Sequence, residues 1–429
     1  MLLQLKKLFL AAVERCQPGH CLLNPLRDLA SDLGAAPLVI SIGKAAPAMA
    51  RVSAATIEPV SHRLVVAPPS SLEQDVFRNG ALPELTEVIA SEHPTPGAGS
   101  IEAGLRVLEL VSEARGNHNV LCLLSGGGSS LMEVPAAGVE LSDLQLLTRQ
   151  LLHSGADIAE LNTVRKHLSK VKGGRLAATA QPSRIFTLSV SDVVSDDPSA
   201  IASGPTVPDP TRLEDARAVL SRHGIKPSTR IREALQAAEN ETPKRLSNAS
   251  GYRIVAANDH ALETAARKGE LLGFRVSVLG QQCGEARELG ARHASMLKEA
   301  HANPEPQLVL SGGETTVTVR HSGRGGRNTE YLLGLICALQ GAAEALQRRL
   351  YALAADTDGI DGSEQNAGAL WTPEKWRSLD ALRHEPEHYL CHNDAYTFFE
   401  QLGLLLTTGP TGTNVNDFRA LALQAQSTP

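Results

Sequence analysis

Short apolar runs rich in β-branched residues alternate along the chain with stretches whose apolar residues recur every three or four positions. "PLVISIG" (37–43), "RLVVAP" (63–68), "NVLCLLSGG" (119–127) and "RIFTLSVSDV" (184–193) read as buried strands. Between them, "KAAPAMARVSAA", "SIEAGLRVLELVSEA" and "LSDLQLLTRQLLHSG" carry helical spacing. The alternation predicts a doubly wound, mainly parallel sheet, with ligands at the carboxyl ends of its strands. The pattern pauses in a Pro-, Ser- and Asp-rich loop (194–215) and again in the polar "AENETPKRLSNAS" (238–250), where a boundary is expected. Strand-like runs resume at 253–258, 274–280, 307–313 and 315–320, with helical spacing in "ALETAARKGELLG" and "EARELGARHASMLKEA". The expected organisation is an α/β domain over 1–240 followed by a second, smaller α/β domain over 241–429.

The N-terminal "MLLQLKKLFLAAVERC" places Leu2, Leu3, Leu5, Leu8, Phe9 and Val13 at helical spacing, while Lys6 and Lys7 interrupt its apolar run. An amphipathic helix is expected there rather than a signal peptide. Composition narrows the partners. Aromatics make up 3% of the 429 residues and the net charge is -6, so neither base stacking nor a basic surface points to nucleic acid. No apolar stretch is long enough to span a membrane. Six cysteines, at 16, 21, 122, 283, 337 and 391, form no CxxC pair, which fits a reducing cytoplasm.

The candidate chemistry gathers just after predicted strands, as if lining a single cleft. "SGGGSS" (Ser125, Gly126, Gly127, Gly128, Ser129, Ser130) offers flexible amides and hydroxyls to a carboxylate or phosphate oxygen; a tight strand-to-helix turn is the plainer reading. Gly43-Lys44 lacks Walker spacing, so Lys44 is either solvated or a phosphate's point charge. "LNTVRKHLSKVKGGRLA" (161–177) reads mostly as a solvated helix face, with Arg165, His167 and Arg175 as candidates for a carboxylate contact. Asp192 ends a strand and is suited to orient a hydroxyl, accept its proton or hold Mg²⁺, whereas Asp196-Asp197 also fits turn chemistry.

"SGGETTVTVRHSGRGGRNTEY" (311–331) sets three arginines among five glycines, a composition for holding an anion on backbone N–H groups and guanidinium forks. Its start, "VLSGGETTV" (309–317), echoes "LLSGGGSSL" (123–131). "ADTDGIDG" places Asp356, Asp358 and Asp361 close together; Ile360 spoils a calcium loop, so Mg²⁺ on one or two carboxylates fits better. "TGPTGTNVND" (408–417) adds hydroxyls and amides. "HEPEH" (384–388) matches a zinc-protease expression, but Pro386 breaks the helix that expression needs. Neither GxSxG nor a post-strand GxGxxG is present.

Taken together, "SIGKAA", "SEHPTPGAGS", "LLSGGGSSL", "LNTVRKHLSKVKGGRLA", "SVSDVVSDDPSAIASGPTVPDPT", "LSGGETTVTV", "GRGGRNTEY", "AADTDGIDG", "NDAYTFFEQLG" and "TTGPTGTNVNDF" resemble the class II glycerate kinases, whose carboxyl-terminal part is the MOFRL domain. The matches run in order from about residue 41 to 418, nearly the whole chain. The resemblance implies a Rossmann-like domain plus a smaller α/β domain, with the active site in the cleft between them. It implies ATP and Mg²⁺ as cofactors and D-glycerate as substrate, phosphorylated at the 2-hydroxyl to 2-phosphoglycerate. Lys44, Asp192 and Arg327 are the implied catalytic residues.

On that reading, residues 125–130 and Arg165 bind the glycerate carboxylate or a phosphate. Ser311, Gly312, Gly313, Glu314, Arg324 and Asn328 belong to the nucleotide-phosphate loop, and Asp356 and Asp358 are the metal candidates. Two positions depart from the family pattern: Ser363-Glu364-Gln365 stand where Pro-Thr-Asp is common, and Leu404 where a polar residue is frequent. The family's members are often labelled hydroxypyruvate reductases, so an NAD(P)H-dependent reductase is the alternative, without a dinucleotide fingerprint in its favour. A non-catalytic sugar-phosphate sensor is a third reading, and a homodimer is among the oligomeric states the sequence leaves open.

Overall fold

The computed structural model describes residues 1–300, 303–381 and 385–426. The chain forms two compact units, Pro18–Val255 and the combination of Met1–Gln17 with Ala256–Pro429. The sequence placed the division at 240/241; here the polar connector leads into one more strand of the first sheet, and the division falls at 255/256.

Six strands build the sheet of the first unit: β1 (Leu38–Ile42), β2 (His62–Ala67), β3 (Thr86–Ala90), β4 (Val120–Leu124), β5 (Ile185–Val190) and β6 (Ala249–Ala256). Their spatial order is β3-β2-β1-β4-β5-β6. Every pairing from β3 to β5 is parallel. β1, β4 and β5 are buried at every position, which their unbroken apolar runs require of a sheet covered on both faces. Ile40, Ile42, Val66, Cys122 and Leu124 pack with Val107 and Val111 of the helix Ala98–Ala114. The strand order reverses between β1 and β4, so the loops that follow these two strands flank a topological switch point, the usual ligand crevice of such sheets.

The sheet of the second unit is mixed. Besides the short pair β8 (Gly284–Glu285) and β10 (Thr315–Thr316), it contains β7 (Arg275–Gln281), β9 (Gln307–Gly313), β11 (Leu350–Asp356), β12 (Gly368–Trp371), β13 (Leu405–Leu406) and β14 (Asp417–Leu423), in the order β13-β12-β11-β14-β9-β7. Within these six strands β7 and β9 pair in parallel and the other neighbours are antiparallel, while β8 and β10 form a separate, parallel two-stranded sheet. The register sets Asp417 opposite both Gly313 and Asp356, so three strand ends meet in one row. The amphipathic helix Leu2–Cys16 buries Leu5, Leu8, Phe9, Ala12, Val13 and Cys16 in this unit, with the Phe9 ring 5.7 Å from Phe418. Among the described residues no helix is long and apolar enough to cross a membrane.

Candidate functional site

In the first unit, β1 and β4 run out at the same register, Ile42 opposite Leu124, and the chain turns away after each. The two turns are stitched together: Ser125 N donates to Ile42 O (2.9 Å), Lys44 N to Gly126 O (2.9 Å) and Ala45 N to Ser125 Oγ (3.0 Å). A Cβ on Gly43 would collide with Ser125, and one on Gly126 with the Asp192 carboxylate, so Asp192 lies against the glycine loop. Gly127 sits at φ 86°, a conformation open to glycine, and a Cβ there would stand 2.9 Å from His93 Cδ2 and 3.6 Å from Lys44 Cγ. Lys44, His93 and Asp192 thus surround Gly126 and Gly127. Among the described residues nothing accepts a hydrogen bond from those two amides.

The rest of the expected loop is internally bonded. Gly128 N donates to Ser125 O, Ser129 Oγ meets Ser203 Oγ at 2.7 Å, and Ser130 Oγ donates to Gly127 O (3.0 Å).

His93 is a residue that sequence reasoning passed over, although its segment, "SEHPTPGAGS", was read as characteristic. Two neighbours fix it. Ser91 Oγ donates to Leu131 O (2.8 Å), and Glu92 accepts from Gly99 N and Ser100 N, capping the helix Ala98–Ala114. Lost hydration against the surrounding loops, and then the Lys44 ammonium, lower the His93 pKa to about 4, so its ring is neutral near pH 7 even though it faces solvent on one side.

The cationic stretch 161–177 is not one solvated face. Only Lys170 fits that description. Lys166 pairs with buried Asp209 at 3.3 Å, His167 Nδ1 donates to Thr163 O (2.8 Å) while its Nε2 lies 3.2 Å from the Glu241 carboxylate, and Lys172 is buried against Glu133. Arg165, half-buried on the helix Ile158–His167, feels the Glu133 carboxylate, while burial lowers its pKa. Asp197 accepts from Ser199 N and Oγ, which is turn chemistry.

The second unit presents a different picture. Ser311, Gly312 and Gly313 do not form a turn but continue β9, paired on one side with β14 and, at Gly312, with β7 on the other. Glu314 follows on the exposed bend. Arg327 opens the helix Arg327–Leu339 and spreads over three carboxylates: Nε to Asp417 (2.7 Å), Nη1 to Glu314 (2.5 Å) and Nη2 to Asp356 (2.6 Å). Burial works against its charge, but Asp417, Asp356 and Glu314 outweigh it and raise its pKa.

The helix's first amides are also taken. Asp361 accepts from Asn328 N (2.9 Å), Thr329 N (2.8 Å) and Thr329 Oγ1 (2.8 Å), and its own burial raises its pKa to about 6. Asn328 is fully buried; its Nδ2 donates to Asp417 (2.8 Å) and Asp361 (3.4 Å). Arg324 forms a two-bond fork with Glu364 (3.1 and 2.8 Å) and lies 4.1 Å over the Tyr396 ring, which gives the atypical Glu364 a structural partner.

Asp356 Oδ1 accepts from the Asp358 amide (3.0 Å); burial, Asp358 and Asp417 raise its pKa despite Arg327. Asp358 in turn accepts from Ile360 N (2.9 Å). Among the described residues no group of three or more His, Cys, Asp or Glu side chains is set to hold a metal ion. Asp417 was missed by sequence reasoning, because a lone acid after "TGTNV" carries no signal until the register places it beside Asp356. In "HEPEH" the helix begins at Pro386 with Glu385 extended before it, and His384 lies outside the described residues.

A doubly wound sheet whose switch point carries a lysine, a carboxylate and unpaired glycine amides, joined in one chain to a mixed-sheet unit rich in Arg–carboxylate contacts, defines a class of α/β enzymes acting on anionic small molecules. Comparison narrows the class. Residues 4–236 match a family described as Domain of unknown function (DUF4147), and residues 307–417 match the MOFRL family. A D-glycerate 2-kinase of Thermotoga maritima is 42% identical over 77% of this chain and 78% of its own. The crystal structure of a glycerate kinase from Thermotoga maritima aligns with a TM-score of 0.87 at 36% identity, covering 98% of both chains. A protein of Agrobacterium vitis with a provisional hydroxypyruvate reductase name is 41% identical over 98% of this chain and 94% of its own. The chain belongs to the glycerate kinase family that carries the MOFRL domain.

Proposed function

We propose that this chain phosphorylates D-glycerate at its 2-hydroxyl, with ATP as donor and Mg²⁺ as its companion, to give 2-phosphoglycerate. The observation that carries the reading is the switch-point loop, where two unpaired amides, Lys44 and Asp192 stand together. Amides and an ammonium hold an anionic oxygen, and the carboxylate accepts the proton of a hydroxyl as it attacks. Phosphoryl transfer asks a protein mainly for position and charge neutralisation, which is what such a set provides. Neutral His93, beside Lys44, adds a hydrogen-bonding group for the acceptor substrate. Arg327 is the cation assigned to the transferring phosphoryl group.

Mg²⁺ bound with nucleotide neutralises phosphate charge. The oxygen donors Asp356, Asp358 and Glu314 suit such an ion chemically, but Arg327 and the Ile360 amide hold them, so they do not fit it as arranged. The absence of disulfides among the described cysteines agrees with a cytoplasmic enzyme.

The test is a parallel assay. Purified protein with D-glycerate, ATP and Mg²⁺ is followed for ADP release, with the product's phosphate position read by ³¹P NMR. A second sample receives hydroxypyruvate with NADH or NADPH. ADP release with 2-phosphoglycerate as product is expected; reduction of hydroxypyruvate alone would replace this reading with the reductase, and tight ATP binding without turnover would replace it with a sensor.

A further inference from the structure

Just beyond the glycine loop the chain buries a charged pair that the chemistry above leaves unused: Glu133 and Lys172, 3% and 1% exposed. Arg165 lies within their electrostatic reach, and among the described residues no oxygen accepts a hydrogen bond from its guanidinium. We propose that Arg165 receives the carboxylate of the acceptor substrate, and that Lys172 is a positioning residue which, by neutralising Glu133, keeps that arginine free for its ligand. That the acid is glycerate rests on the kinase reading; a receptor for a small carboxylate does not.

The backbone brings the three side chains together. The segment after the glycine loop runs antiparallel to the one after the helix Ile158–His167: Pro135 bridges Ser169, Ala136 N donates to Leu168 O (2.9 Å) and Lys170 N to Val134 O (2.7 Å). That register sets Lys172 beside Met132 and Glu133, and its ammonium donates to Met132 O (3.1 Å) and to Glu133 Oε2. The helix is tied to the loop a second time. Asn162 Oδ1 accepts from Ser203 Oγ (3.1 Å), and Ser203 Oγ meets Ser129 Oγ at 2.7 Å. Asn162 and Arg165 stand one turn apart, neighbours on the same helix surface.

Two cations and one carboxylate leave a single positive charge where water is scarce. Burial works against both the Lys172 ammonium and the Arg165 guanidinium, and the Glu133 carboxylate supports them. Arginine does not give up its proton, so an anion, not neutralisation, offsets the cost of that placement. Lys172 is already engaged by Met132 and Glu133. Arg165 is the cation with N–H groups to give, and its parallel pair matches the two oxygens of a carboxylate. One net charge answers one carboxylate and leaves a phosphate dianion half compensated. Glu133 shows why the lysine is needed: its Oε1 is buried and, among the described residues, accepts from nothing. Without Lys172 both oxygens of Glu133 would lack a cation, and Arg165 is the one they would capture.

Binding is measured by isothermal titration calorimetry on the full chain, with and without a non-hydrolysable ATP analogue and Mg²⁺. D-glycerate, hydroxypyruvate and inorganic phosphate are the probes, on wild type, R165Q, R165K, K172M and E133Q/K172M. R165Q is expected to weaken binding of both organic acids by about 10- to 100-fold, the scale of one lost charge-assisted pair, with the nucleotide analogue unaffected. R165K should lose less, since an ammonium keeps the charge but not the fork. K172M should weaken the acids about tenfold although Arg165 is present, and E133Q/K172M should recover most of that loss. A merely structural pair would move the urea midpoint of these two variants and leave acid affinity alone. Unchanged acid affinity in R165Q, a loss that falls on phosphate or nucleotide instead, or a wild type that binds neither acid would overturn the receptor. Equal losses in K172M and E133Q/K172M would overturn the positioning role. Should K172M not fold, the double variant decides: acid affinity as low as that of R165Q means that the pair, not Arg165, held the acid. Because binding is read without turnover and with both acids, a chain that reduces hydroxypyruvate fails the kinase assay and can still pass this one.

Discussion

"LLSGGGSSL" and "VLSGGETTV" look alike on paper and end up as opposites. In the first, β4 stops at Leu124 because its parallel neighbour β1 stops opposite it at Ile42, and the glycines leave the sheet with amides to offer. In the second, antiparallel β14 begins at Asp417 opposite Gly313, so pairing continues through Ser311–Gly313 and their backbone groups belong to the sheet. A Ser-Gly-Gly after an apolar strand becomes a cradle or a strand end according to where the neighbouring strands run out. The cations follow suit. Lys44 stands beside open amides, whereas Arg327 is fully engaged by acids.

Substitutions can break this contrast. The largest effect is expected for Asp192→Asn, a loss in kcat of about 10²- to 10⁴-fold with nucleotide affinity nearly unchanged, measured by steady-state kinetics and equilibrium ATP binding. Lost ATP binding instead would make Asp192 a nucleotide or metal contact. Arg327→Ala should lower kcat by about 10²- to 10³-fold and also destabilise the fold by about 3–5 kcal/mol in urea, because three carboxylates lose their common partner. An unchanged urea midpoint would mean that the engaged arginine of this structure is not what holds the acids.

Lys44→Met sharpens the other side. A kcat loss of about 10²-fold is expected with the urea midpoint intact, since among the described residues no carboxylate pairs with the ammonium. Full activity would leave it a surface charge. Arg324→Ala should change kcat by about twofold at most, its fork with Glu364 being an exposed structural pair.

The smallest effect concerns pH. The His93 pKa falls from its ordinary 6.5 to about 4 on folding, so between those values the unfolded chain binds more protons and stability declines as pH drops. His93→Gln should flatten the difference between urea midpoints at about pH 7.5 and about pH 5. Equal slopes in both proteins would show that the ring titrates normally.

Much of the first sheet was legible because its central strands are buried on both faces and therefore read as unbroken apolar runs. β3 escaped notice: as an edge strand in which Ile89 alone is buried, "TEVIA" has neither an apolar run nor a clean alternation. β14, "DFRALAL", was hidden for the opposite reason. It is buried at all seven positions, Asp417 and Arg419 included, because those two neutralise each other inside the sheet. Pairing of that kind leaves no trace in one sequence. "TTVTVR" was read as a strand, yet only Thr315–Thr316 pair, and beyond them the chain is held by Glu285 and Asn393 side chains. Of the candidate site, residue types and strand ends were readable. Partners were not: whether Arg327 faces a ligand or three acids depends on register between strands a hundred residues apart.

The helix Leu2–Cys16 is made before the whole of Pro18–Val255, but what it packs on, the helix Asn258–Leu271 and β11, is made only after it. Everything from Pro18 to Val255 can close its own sheet meanwhile. The usual vectorial order, N-terminal segment first, is thus reversed for these residues. Throughout most of synthesis the leucines and Phe9 of that helix wait without a partner, a clientele for chaperones that a nascent chain cut short near Val255 would display permanently.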